Sequence, residues 1–147
     1  MKPNDANTEY CIKYTEYVNG LRARRGGWQD GDWVFLNGKP KLIRRVRGSD
    51  CASRVRGSDY AIYTLIDSAW YKLEVGYVWL PSEGDVLGML EAEGVDPVLI
   101  SVRMDSSVGS WLMWCAMDAV LMVPERDDCH KTPLIALLEL LKAVEAK

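Results

Sequence analysis

Asn37-Gly38, set between Trp33-Val34-Phe35-Leu36 and Leu42-Ile43-Arg44-Arg45-Val46, is the tightest constraint on how this chain can fold. Asn-Gly suits the two central positions of a type I′ turn, where both residues need positive φ. Glycine takes that conformation without steric cost, and asparagine tolerates it. A two-residue connection also forces the flanking strands to run antiparallel. Pro40 lacks an N–H, so it belongs at the margin of the turn or facing outwards at an edge. Antiparallel β-structure is therefore the starting point for the fold.

Arg45-Val46-Arg47-Gly48-Ser49-Asp50 returns nine residues later as Arg54-Val55-Arg56-Gly57-Ser58-Asp59. Side chains alternate between sheet faces with period two, so an odd insertion inside a paired strand would turn everything downstream inside out. A surface loop escapes that conflict, and the Gly-Ser pairs suit one. A protruding loop or long hairpin tip is predicted over about residues 48–58. Two copies do not make a repeat architecture, which needs about three or more units to bury a core.

Apolar residues Tyr10, Tyr14, Tyr17, Val18 and Leu21 recur at helical spacing, predicting an N-terminal helix over residues 7–25. Asn7 or Thr8 is placed to cap it, Gly26-Gly27 ends it, and Asn19-Gly20 is its weak point. Strands are predicted over 60–66 and 70–75, and a middle helix after Ser82, with Asp85 as an imperfect capping-box partner and Gly94 as its stop. Residues 98–102 read as a strand, 105–110 as a turn, and the apolar run 111–123 as one bent strand or two short ones, central in the sheet. After a polar connector, Thr132 caps a final helix with Pro133 in its first turn and a stripe of Leu134, Leu137, Leu138, Leu141 and Val144. The expectation is a single α+β domain over residues 1–147. In it an N-terminal, a middle and a C-terminal helix pack on a mostly antiparallel sheet.

Charge is distributed unevenly. Residues 1–56 hold twelve Lys/Arg against six Asp/Glu, a net of +6, whereas residues 57–147 hold six against fifteen, a net of −9. Opposite halves of this kind attract within one fold, or head to tail between copies; a solvated surface with no such role explains them equally well. An overall charge of −3 argues against a generic basic nucleic-acid binder. The four cysteines (Cys11, Cys51, Cys115 and Cys129) form no Cys-x-x-Cys pair, and the N-terminus has no apolar leader, so free thiols in a cytoplasmic protein are expected. The longest apolar runs fall short of the roughly 20 residues that span a membrane.

Catalytic patterns are sparse. His130 is the only histidine, which argues against a His-based metal site, and the adjacent Cys129 is poorly placed to face it as a nucleophile. Asp118 and the Asp127-Asp128 pair could act as acids or ligands, but a hydrogen-bonded strand residue and a solvated turn explain them as well. No nucleotide or cofactor motif occurs, so no cofactor, no metal and no catalytic residue is assigned. The functional candidate is the basic stretch 39–56, with seven Lys/Arg and one acid, Asp50. Arg44, Arg45, Arg47, Arg54 and Arg56 are the candidate partner- or phosphate-binding residues, through bidentate bonds to carboxylates or phosphates. The plainer alternative is a solvated loop facing the protein's own acidic half. Trp33, Trp79, Trp111 and Trp114 sit in strand-like runs and are expected as core or interface anchors. A leftover apolar patch would favour a homo-oligomer.

Three blocks carry a resemblance: Gly26-Gly27-Trp28-Gln29-Asp30-Gly31-Asp32-Trp33-Val34, the run from Trp79-Leu80-Pro81-Ser82 to Glu91, and Thr132-Pro133-Leu134 through Leu141. In this layout the chain resembles small uncharacterised proteins encoded by bacteriophages and prophages. Its helix–strand–strand–helix order from residue 82 is similar to phage α/β sandwich domains. The resemblance implies a phage-type accessory protein, not an enzyme, that binds a host or viral protein in the host cytoplasm. It carries no functional residue with it. The alternative is nucleic-acid binding through the basic 39–56 segment.

Overall fold

The computed structural model describes residues 2–45, 60–64, 69–72, 77–119 and 129–146. Among these the chain forms an α+β fold, with four helices and antiparallel sheets, divided into two compact units, Met1–Pro81 and Ser82–Lys147. The division sorts charge as well. The first unit holds thirteen Lys/Arg against nine Asp/Glu (+4), and the second five against twelve (−7).

The first unit opens with α1 (Asp5–Lys13) and α2 (Thr15–Arg25), where the periodicity predicted one helix. The break falls at Tyr14 (φ −113°, ψ 42°), not at Asn19-Gly20. Thr15 Oγ1 donates back to the Ile12 carbonyl at 2.6 Å, and such back-bonding competes with the helical ladder and bends it. The N-cap is Asn4, whose Oδ1 accepts from the Asn7 N–H at 2.8 Å, a turn earlier than expected. At the other end Gly26 takes φ 107°, and the Gly27 N–H closes onto the Arg22 carbonyl at 3.0 Å, a Schellman ending.

Strands β1 (Trp33–Leu36) and β2 (Lys39–Arg45) form the expected hairpin, with Asn37 at φ 50° and Gly38 at φ 79°. Pro40 lies opposite Phe35, one pair beyond the turn, where the residue's N–H would point away from β1. With β3 (Tyr60–Thr64), β4 (Ala69–Lys72) and β5 (Val78–Leu80) they make a five-stranded sheet in the order β4-β3-β2-β1-β5. Alternation sends Val78 and Leu80 to one core with Cys11 and Val18 from the helices, and Val34 and Ile43 to another with Trp28 and Tyr77. The loop expected over 48–58 lies outside the described residues; the pairing of Arg45 with Tyr60 places its two flanks side by side.

The second unit holds α3 (Glu83–Ala92), β6 (Pro97–Ser106), β7 (Gly109–Asp118) and α4 (Pro133–Glu145). Ser82 and Asp85 form a full capping box, with the Asp85 N–H on Ser82 Oγ at 3.1 Å and the Ser82 N–H on Asp85 Oδ2 at 2.9 Å. Thr132 Oγ1 accepts from the Ile135 N–H at 3.1 Å, and α4 buries Leu134, Leu137, Leu138 and Leu141 against the rest of the unit.

Two expectations are corrected here. The turn predicted over 105–110 shrinks to Ser107–Val108, because the strands stay paired out to Ser106 and Gly109. The apolar run from Trp111 is not central in a sheet: among the described residues β7 belongs to a two-stranded sheet with β6 alone. An unbroken apolar composition signals a central strand only when further strands flank it, and among the described strands β7 has β6 alone.

Candidate functional site

Among the described residues, the large exposed hydrophobics gather on the β6–β7 hairpin. Its register puts Val98, Ile100, Val102 and Met104 opposite Met117, Cys115, Met113 and Trp111. Because side chains alternate, these eight form one continuous apolar face. The other face mixes Leu99, Ser101, Arg103 and Asp105 with Ser110, Leu112, Trp114 and Ala116.

Helix α4 packs on both strands, and Cys115 and Met117 beneath it are buried. Its cover runs out for a simple reason of length. Thirteen helical residues span about 20 Å at 1.5 Å per residue, and a ten-residue strand spans roughly 33 Å. A helix of that length cannot cover the whole of either strand, and the exposed residues gather mostly towards the turn. On the apolar face Met104 is 39% exposed and Trp111 47%, with Val98 at the far end 37%; Leu112 on the other face is 54% exposed, and Val108 at the turn 92%. Isolated two-stranded ribbons are marginal in water, so this surface is unusual for an element left by itself.

The sequence-predicted arginines fall elsewhere. Arg44 and Arg45 lie in β2, their backbones paired with Ala61 and Tyr60, in the same strand as Lys39 and Lys41. Arg47, Arg54 and Arg56 lie outside the described residues, as do Asp127 and Asp128. Asp118 ends β7 opposite Pro97, and His130 forms an isolated backbone bridge with Trp114, both hydrogen bonds being 2.7 Å. Among the described residues no group of three or more His, Cys, Asp or Glu could hold a metal ion. None of their helices is long and apolar enough to cross a membrane. Burial pushes the Cys11 thiol up to about 12, leaving it protonated and unreactive near neutrality.

Sequence reasoning missed a second cluster, at the end of α2. Arg25 forms a salt bridge with Asp32, its Nη1 to Oδ1 at 3.2 Å, with both side chains largely buried. Asp32 also accepts the Gln29 N–H at 2.8 Å. The Arg25 guanidinium lies 4.5 Å from the Trp79 ring centre, and that of Arg22 lies 4.2 Å from Trp28. Burial, and then the neighbouring Arg25, lower the Arg22 pKa, against the opposing pull of Asp32. Arg25 is thus neutralised within its own unit, and the cluster reads as structural. Its signal in the sequence was slight, since a seven-residue spacing across a turn follows no local rule.

Comparison with protein-family models, with curated proteins and with solved structures gives no match.

Proposed function

We propose that the protein acts by binding another protein, in the accessory manner of a phage-type chain, through the distal apolar face of the β6–β7 hairpin. The observation that carries this reading is the exposure of Met104 and Trp111 on a face that is otherwise entirely apolar and that α4 is too short to cover. Exposed aromatic and Met side chains of this kind are typical anchors of protein interfaces. The resemblance of the three sequence blocks to phage-encoded proteins supports the accessory role.

The test compares capture by wild type and by a Trp111→Asp variant from bacterial lysate. A protein retained by the wild type and lost from the variant, with circular dichroism unchanged, is the expected result. Identical captured sets would sink the reading. A second reading, nucleic-acid binding along β2, is favoured by the placement of Lys39, Lys41, Arg44 and Arg45 in one strand. It requires a mobility shift that weakens steeply with salt, and no shift at low ionic strength eliminates it.

A further inference from the structure

The apolar face is not the only unfinished surface of the hairpin; β6 also has an open edge. Ser106 and Gly109 flank the two-residue turn and form its closing hydrogen-bonded pair, so Met104 and Val102 are the residues of β6 that bond inwards to β7. Asp105, Arg103 and Ser101 then direct their N–H and C=O groups away from β7. The same parity appears at Trp114, opposite Ser101, whose N–H and C=O bond outwards to His130. The outer edge of β7 is therefore occupied at that point. Among the described residues no strand pairs with the outer edge of β6.

We propose that this edge pairs antiparallel with β6 of a second copy of the chain, about a two-fold axis at Met104, with Arg103 opposite Asp105 of the second copy. Charge selects both the partner and the register. A two-fold at Arg103 would set arginine against arginine, and one at Asp105 would set acid against acid. A two-fold at Val102 would put Arg103 opposite Ser101 and Asp105 opposite Leu99, leaving both charges without a cross-strand partner. Only the axis at Met104 makes two unlike pairs, and it does so through residues whose backbone groups already point outwards. Arg103 now pairs with Asp105 at 3.3 Å and donates to Ser110 Oγ at 3.2 Å, both in exposed surroundings that allow partners to exchange. Charged residues on an edge ordinarily repel foreign strands; a second copy is the one strand certain to bring the complement.

The pairing joins two marginal ribbons into a four-stranded sheet. It also aligns Trp111, Met104, Met104 of the second copy and Trp111 of the second copy in one apolar row, since Met104 already lies opposite Trp111. The edge and the face are separate surfaces, so the inference does not depend on what the face binds.

Sedimentation of the full chain tests it. Wild type should dimerise with concentration. Arg103→Asp, which opposes two acids at each contact, should weaken the dimer by about tenfold or more. The exchange R103D/D105R should restore it. Both side chains are about three-quarters exposed, so the fold should be unaffected, which circular dichroism checks. As a second readout, Met104→Cys should give on mild oxidation a covalent dimer that peptide mapping traces to a 104–104 bond, because cross-strand neighbours at the axis lie within disulfide reach. A wild type that stays monomeric up to about 1 mM overturns the proposal. So does a dimer indifferent to Arg103→Asp, or one that the exchange fails to restore. A dimer kept by Trp111→Asp while capture of other proteins is lost tells the two surfaces apart.

Discussion

The outer edges of β5 and β6 present the same row of unpaired backbone groups, and the two units treat them in opposite ways. In the first unit α2 lies along β5, and the Asn19 side chain completes the edge. Its Nδ2 donates to the Tyr77 carbonyl at 3.0 Å, and its Oδ1 accepts from the Trp79 N–H at 3.0 Å. One amide thereby imitates a neighbouring strand. In the second unit, among the described residues, no strand pairs with the outer edge of β6. The ion pairs repeat the contrast: Arg25–Asp32 has side chains 12% and 7% exposed, Arg103–Asp105 72% and 73%. At these two places the first unit pairs its groups internally, and the second leaves its edge and its ion pair exposed. A protein can thus keep a stable body and a reactive edge in one chain, provided the two requirements fall on different units.

This contrast can be broken by removing the internal partners of the first unit. Arg25→Ala strands a buried carboxylate and uncovers the Trp79 ring, and it should destabilise the first unit by about 3 kcal/mol in denaturant titration. Asn19→Ala should cost about 1–2 kcal/mol by leaving two part-buried backbone groups unpaired. Its signature is faster amide exchange at Trp79, which distinguishes an opened edge from general loosening. Asp105→Asn, the matching change in the second unit, should alter stability by under about 0.5 kcal/mol in dilute solution, where exposed pairs contribute little. A large effect there, or a negligible one at Arg25, would show the distinction between the units to be false.

What the sequence disclosed divides along the same line. Asn37-Gly38, the Ser82–Asp85 box and Thr132-Pro133 were legible because each acts on its own backbone within three residues. The break at Tyr14 was not, since Thr15 can continue a helix or back-bond, and spacing does not decide which. The role of Asn19 was hidden as well: it read as a helix weakener, whereas its amide serves a strand 58 residues away. Trp111 was the hardest. An apolar strand looks alike whether a helix covers it or stops short, and the deciding quantity is a length difference between two elements that meet only in the fold.

The pairing of Arg45 with Tyr60 has a consequence for how the chain tolerates change. Fourteen residues, 46–59, join two positions that are already neighbours, and most of the doubled hexapeptide lies among them. Closing a loop costs only about 0.6 kcal/mol more for each doubling of its length. A nine-residue duplication between these two positions leaves the register of β2 against β3 as it is, where the same event inside β2 would invert it. The ladder at Arg45 and Tyr60 is thus a seam: length added or removed between them does not pass into the pairing on either side.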